Sequence, residues 1–511
     1  MEKIILFESY IKNGQLDEIG ENTTVNLLNE LSKLDPECLS KDDYEKLVTC
    51  LPLLSTIYSS QVLAAGCNVV ASLCSDDLAR HYFGLQITEL TISILKSFTS
   101  FKIKDKFSQE CLLQACRAIG NLCYYHEENT KHALKEGCLS ITMEILKTNS
   151  DRNLQPVLIG LLLNLTHLDN YNYKFPDNMI NDLNFFAIKY MEHNNNNDNN
   201  NRSYMNLVSV MINIVRKSLN NSKITDYEKC SFIDCLLEKY YMHIEIVSIC
   251  VKFIKQVSKI YSIYNWILKG KHIMLAKILD KYEENHEEDA KLIVKKICDI
   301  IILLSNDDGS MDNNKQLEVL YLVEWLLLKI HSNNLYIKLS SVRSLGNFSR
   351  FKYESNNTTN NPAKTIIKHM PWFINALEKA VKNKNSLMEV SILCLFKNLL
   401  YVTNFECMEE NDKDKLVKTT IAVLDHTSFN PIVTKSLDVI GCIIKKGEFS
   451  QKQLVLYKSS TFIELLNTYC NSVDEDINQL AKKLLCSINE NINESENDIM
   501  HSLEDNLQIK N

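Results

Sequence analysis

Apolar residues recur along most of this chain at intervals of three and four. Leu112, Ala115, Cys116, Ile119 and Cys123 follow the i, i+3, i+4, i+7, i+11 spacing of a single helical face. Gln114, Arg117 and Asn121 fall on the opposite face at the same spacing. Comparable helical patterns contain Leu161-Leu-Leu-Asn164-Leu, Met211-Ile-Asn213-Ile-Val, Phe396-Lys-Asn398-Leu-Leu and Ile440-Gly-Cys442-Ile-Ile. The pattern predicts helix along nearly the whole chain.

Two of these helices carry near copies of one string, Arg117-Ala-Ile-Gly-Asn121-Leu and Arg343-Ser-Leu-Gly-Asn347-Phe. Aligning Ser72, Asn121, Asn164, Asn213, Gln256, Leu303, Asn347, Asn398 and Cys442 as rungs gives steps of 49, 43, 49, 43, 47, 44, 51 and 44. Armadillo and HEAT repeats have a period of about 40–47 residues. The expectation is an all-α, right-handed α-solenoid of about nine or ten armadillo/HEAT-like repeats. It would span residues 1–488, with an irregular first repeat over 1–60. Pro156 and Pro431 precede their rungs by eight and eleven residues, where a helix's first turn belongs. An Asn-rich inserted loop is expected at 193–202, further inserts at 306–314 and 355–361, and an acidic, Asn-rich, disordered tail at 489–511.

Composition narrows the fold further. Of 511 residues, 12 are Gly and 7 are Pro, about 3.7%, where roughly 12% is usual. Sandwiches, propellers and nucleotide-binding sheets need those residues for turns and phosphate-cradling loops. Gly66, Gly120, Gly160, Gly346 and Gly441 fall in the rung-bearing helices. The net charge of −8, with no strong basic stretch, argues against nucleic acid as the main partner. No apolar run approaches the length of a membrane span, and the charged start does not fit a signal peptide. The 17 Cys lie mostly within apolar helical runs, which suits buried free thiols in a reducing compartment. The expected location is the cytosol, with the nucleus as a second compartment, and the expected state is a monomer.

An Asn recurring once per repeat on the helix that lines the groove is a candidate row of partner-binding amides. Asn121, Asn164, Asn213, Asn347 and Asn398 form that row. Two readings stand side by side: the amides contact a partner, or they bond to the backbone of the neighbouring repeat. Arg117 and Arg343 lie one turn before their Asn and reach the same groove. They would pair with an acidic partner surface or form ion pairs between repeats. Gly120 and Gly346, in mid-helix, suit close helix approach or room for a partner backbone.

Catalytic patterns do not emerge. There is no Gly-x4-Gly-Lys-Ser/Thr, no Gly-x-Gly-x-x-Gly, no His-Glu-x-x-His and no Cys-x-x-Cys. Cys123, His126 and His132 lack a further ligand for a metal centre. The acidic cluster Glu283-Glu-Asn-His-Glu-Glu-Asp289 reads as a solvated loop. No catalytic residue, cofactor or metal is expected.

The string Leu112-Leu-Gln-Ala-Cys-Arg117-Ala-Ile-Gly-Asn121-Leu-Cys-Tyr-Tyr-His-Glu-Glu-Asn, followed by Ala133-Leu-Lys-Glu-Gly137, resembles the armadillo repeats of the Smg GDS family of GDP dissociation stimulators. Later segments around Asn164, Ser341–Ser349 and Leu395–Leu399 follow in matching order, and the Asn-rich, shortened form is similar to an amoebal relative in that family. The resemblance runs from about Gln61 to Cys442. It implies binding of small GTPases of Rho, Rac, Rap or Ras type, prenylated forms included, with Asn347 and Asn398 as the foremost contacts. It also implies nucleotide exchange without a catalytic side chain, by preference for the nucleotide-free GTPase. The family's Ala-Gly-Gly turn survives only as Glu136-Gly137-Cys138. The alternative is a general armadillo scaffold without exchange activity. Nuclear import adaptors resemble one another in a Trp four residues before the rung Asn; here Arg117, Gly160, Ser209, Arg343 and Cys394 stand there, which disfavours a basic-peptide receptor.

Overall fold

The computed structural model describes residues 2–12, 18–56, 59–99, 106–168, 173–176, 178–193, 201–218, 231–258, 271–306, 313–350, 361–403, 408–445 and 451–490. Those residues form helices joined by turns, with no strand among them. The all-α class and the α-solenoid architecture are what the structure shows. Most of the inserted loop (194–200) and of the acidic tail (491–511) lies outside the described residues, as do 307–312 and 351–360. Helix continues through residue 490, past the expected start of the tail.

Contacts group the chain into two units, Met1–Val257 and Ser258–Asn511. In the first, the rung-bearing helices stack in order: Ser60–Leu73 against Lys106–Cys123, then Leu154–Thr166, Asn201–Ser218 and Ile244–Val257. The Lys106–Cys123 helix shows why. It buries Cys111, Leu112, Ala115, Cys116, Ala118, Ile119, Leu122 and Cys123 and leaves Arg117 exposed. That is a wide apolar stripe, and its burial rather than local propensity holds such a helix in place.

Between the rung-bearing helices run shorter ones, and glycine sets two of their corners. Glu127–Lys135 and Cys138–Thr148 meet at Gly137, whose φ is +80°. The Asp77–Thr99 stretch breaks at Gly84, with φ +47°. Both conformations are left-handed, where a Cβ is costly. Gly84 therefore makes the same kind of corner from a Phe83-Gly84-Leu85 sequence that lacks the expected Ala-Gly-Gly.

In the second unit Glu288–Ser305 packs against Leu335–Phe348, then Ser386–Val402 and Asn430–Lys445. Leu484 of the 475–490 helix lies beside Gly441. Some repeats have three helices, such as Pro362–Ile367, Met370–Lys382 and Ser386–Val402. Others have two, such as Glu410–His426 and Asn430–Lys445. Asn334, Asn361 and Asn385 cap three helix starts of this unit by accepting from backbone N–H groups, each worth about 1 kcal/mol. Part of the Asn richness therefore has a structural use.

The Glu283–Asp289 cluster is largely the solvated loop expected, with Glu284, His286, Glu287, Glu288 and Asp289 exposed, but half-buried Glu283 departs from it. Glu283 pairs with Lys329 and Ser332, and Asp280 lies 2.8 Å from the same ammonium. Glu288 and Asp289 open the Glu288–Ser305 helix, where the helix dipole favours negative charge. Repeat-to-repeat contact claims Glu283, and helix initiation claims Glu288 and Asp289.

Candidate protein-partner interface

The five asparagines sit near the C-terminal ends of rung-bearing helices, three in the first unit and two in the second, each half-buried. Every one donates its amide to the preceding rung-bearing helix. Asn121 Nδ2 reaches Ala71 O at 2.7 Å, Asn164 Nδ2 reaches Gly120 O at 2.8 Å, and Asn398 Nδ2 reaches Gly346 O at 2.8 Å. The acceptor in all three is the carbonyl just before the previous rung. Asn347 Nδ2 instead meets Ser305 Oγ at 3.0 Å, and Asn213 Nδ2 meets Thr166 Oγ1 at 3.4 Å, a weaker contact. Those hydroxyls lie two residues past the previous rung. The neighbouring-repeat reading of the row is therefore present at all five positions. The amide oxygens accept no hydrogen bond among the described residues.

The glycines of the two copied strings share one role and differ in another. Gly120 and Gly346 both offer their carbonyls to the next asparagine. At Gly346 a Cβ would stand 3.2 Å from Leu395 Cα, so close helix approach explains this residue. At Gly120 the nearest atom, Leu161 Cα, would be 3.8 Å away, an ordinary contact.

Arg117 and Arg343 are exposed, and neither forms an ion pair among the described residues. Arg117 Nη1 donates to Gln114 Oε1 at 2.9 Å, and Arg343 Nε donates to Ser391 Oγ at 3.1 Å in the next repeat. The inter-repeat ion pair weighed from the sequence does not occupy them.

In the first unit the row opens into a cleft of about 270 Å³ lined by Tyr124, Tyr125, Asn164, His167, Asn213, Arg216 and Lys252, among others. No carboxylate lines it. The Tyr124 and Tyr125 rings meet edge to face at 4.6 Å, and Tyr125 meets His167 likewise at 5.0 Å. The Arg80 guanidinium sits 5.5 Å from the Tyr124 ring centre. Tyr125 is 70% exposed and holds φ +49°. A left-handed residue after a helix is usually Gly or Asn. A large exposed aromatic there, at some backbone cost, is the pattern of a contact residue.

Sequence reasoning brought Asn164 and Asn213 to this cleft but missed Tyr124, Tyr125, His167, Arg216 and Lys252. The available signal was the Tyr-Tyr pair directly after the Asn121 helix, overshadowed by the metal-ligand residue types at Cys123, His126 and His132. In the structure His126 caps a helix instead. Its Nδ1 accepts from the backbone N–H of Asn129 at 3.3 Å, at the start of the Glu127–Lys135 helix. Burial lowers the His126 pKa, which suits an accepting, neutral ring. Burial also pushes the Cys123 thiol up, away from the thiolate a metal requires. Among the described residues no group of three or more His, Cys, Asp or Glu could hold a metal ion.

No protein-family model matches the sequence, and no curated protein matches it. Solved structures do resemble it. A chain from a structure of the phosphorylation-controlled interaction between cadherin and beta-catenin is similar over 96% of both chains, with 10% identity and a TM-score of 0.56. SYS-1 is similar over 95% of this chain and 96% of its own, with 13% identity and a TM-score of 0.48. The first likeness shows a shared fold, that of armadillo-repeat proteins.

Proposed function

We propose that this protein is a non-catalytic scaffold that binds a protein partner on its rung-bearing helices. The observation that carries this reading is the first-unit cleft, where exposed aromatic, cationic and amide side chains converge without a carboxylate. Tyr and Arg are the residues that most often anchor protein interfaces.

The partner proposed is a small GTPase of Rho, Rac, Rap or Ras type, with the protein acting as a GDP dissociation stimulator or chaperone. Its support is the resemblance around 110–165 and 335–400, together with Arg117 and Arg343, whose charge no described carboxylate neutralises. Exchange would follow from tighter binding of the nucleotide-free state, since a partner shifts an equilibrium by its differential affinity. A pull-down against a panel of small GTPases in GDP-loaded, GTP-loaded and nucleotide-free forms tests this. Binding lost on Tyr125→Ala or Arg343→Glu, with the fold intact, supports it; no binding to any GTPase removes it.

The second reading, a general scaffold without exchange activity, draws on the sequence's incomplete match to the Smg GDS pattern and on the 10% identity fold likeness.

A further inference from the structure

The second unit holds a cleft of about 370 Å³ between the Met370–Lys382 helix and the starts of the Leu335–Phe348 and Ser386–Val402 helices. Its apolar wall includes Trp372, Leu335 and Met388, and Lys338 and Lys379 stand in its lining. Trp372 is half-buried and meets the His331 ring edge to face at 5.4 Å. Lys382 and Lys384 flank the lining residue Asn383 in the following turn. None of these four lysines forms an ion pair among the described residues, and no carboxylate lines the cleft. The nearby Glu378 is engaged by Thr419 and Lys415, and Glu389 is buried.

The backbone adds an independent mark. Among the described residues only Tyr125 and Lys384 are non-glycine residues with positive φ. Tyr125 lines the first-unit cleft, and Lys384, at φ +52°, lies between Asn383 and Asn385 of this one. Its turn closes with Asn385 N–H donating to Ala380 O at 2.9 Å, a geometry that glycine adopts at no cost. An exposed lysine kept there presents a charge at the rim.

We infer that this cleft binds an acidic peptide segment of a protein partner, with an apolar side chain against Trp372 and carboxylates facing Lys338, Lys379, Lys382 and Lys384. Charge complementarity selects the occupant: uncompensated cations ring an aromatic pocket in a chain of net charge −8. A long polyanion such as nucleic acid would meet that overall negative charge, whereas a short acidic segment needs only the local field. None of the proposed GTPase contacts lines this cleft, and the inference does not depend on them.

Fluorescence anisotropy against an array of labelled twelve-residue peptides tests the inference. The array pairs Asp and Glu with Leu, Phe or Trp at varied spacing, beside counterparts with Lys replacing every acid and an oligonucleotide of equal charge. Acidic-apolar peptides are expected to bind, and to weaken with added salt. The double variant Lys338→Glu plus Lys379→Glu should bind them about tenfold or more weakly. Lys135→Glu, an exposed charge outside the cleft, should bind as wild type. Trp372→Ala should lose about thirtyfold; if it fails to fold, the exposed-lysine variant carries the test. The inference falls if no peptide binds, if Lys counterparts bind equally, if the oligonucleotide binds more tightly, or if the folded lysine variant binds as wild type.

Discussion

The side-chain amide of Asn398 donates to the main-chain carbonyl of Gly346, 2.8 Å away and one repeat earlier. The same glycine lets its helix close on Leu395, since a Cβ there would stand 3.2 Å from Leu395 Cα. One residue thus offers a carbonyl to the next repeat and leaves space for its helix. Asn164 and Gly120 repeat the hydrogen bond without the tight approach.

Asn398→Ala should destabilise the second unit by about 1 kcal/mol, the worth of a typical net hydrogen bond. Asn398→Asp should cost more, because a carboxylate would then face the Gly346 carbonyl with no proton to share. Chemical denaturation of both variants checks the order. An aspartate variant as stable as wild type would show that the amide bond does not hold the repeats together.

The two copied strings should answer alanine with opposite signs. Gly346→Ala must push Leu395 away, and overpacking of this kind costs roughly 1–3 kcal/mol, more than the helix-propensity gain. Gly120→Ala meets Leu161 only at ordinary contact distance and should gain roughly 0.5–1 kcal/mol. Thermal melts compare the pair directly; equal shifts would mean that the backbone approach at Gly346 is not limiting.

This contrast marks what the sequence could carry. The rungs were legible because Asn recurs at repeat spacing on a helix face, and the structure places each inter-repeat bond in that register. Which acceptor each Asn takes was not. Ser349 lies two residues past a rung, as Thr166 and Ser305 do, and like them donates to a carbonyl of its own helix, yet Asn398 takes the Gly346 carbonyl rather than the hydroxyl. Acceptor choice depends on rotamers and helix offset, which leave no periodic trace. Tyr125 was not legible because a left-handed tyrosine has no sequence signature of its own; its φ of +49° is a property of the folded chain. The cleft near Trp372 escaped notice for a related reason: its lining comes from helices dispersed over some sixty residues of sequence.

Glu389 should make the second unit less stable as pH rises. Its side chain is 5% exposed, and burial raises its pKa above the ordinary carboxylate value. The folded state therefore holds the proton more tightly than the unfolded chain. The sign follows: stability is greatest below the unfolded-state pKa, near 4.3, and declines as pH climbs through the raised folded value. The helix dipole favours charge in this first turn, and burial opposes it. Glu389→Gln should stabilise at pH 7 and have less effect at pH 4. A variant equally destabilised at both would contradict this.

Thiol labelling should follow burial. Cys38 and Cys486 are exposed, while Cys67, Cys74, Cys111, Cys116, Cys123, Cys138, Cys250 and Cys298 are buried. Burial pushes the Cys111 and Cys138 thiols up to about 12, so little thiolate exists at neutral pH. Iodoacetamide followed by peptide mass spectrometry should modify Cys38 and Cys486 in the native protein, and these eight sites and the likewise buried Cys50 only after unfolding. Rapid native modification of Cys116 or Cys123 would mean that the first-unit core opens readily.

The proposed function meets its most direct test in one titration. A small GTPase captured in the pull-down is titrated with this protein in nucleotide-free and GDP-bound forms, and the two dissociation constants are compared. A dissociation stimulator must bind the nucleotide-free form more tightly, with release of labelled GDP accelerating as protein is added. Equal affinity for both forms, with GDP release unchanged, would contradict the exchange reading and leave the fold as a scaffold alone.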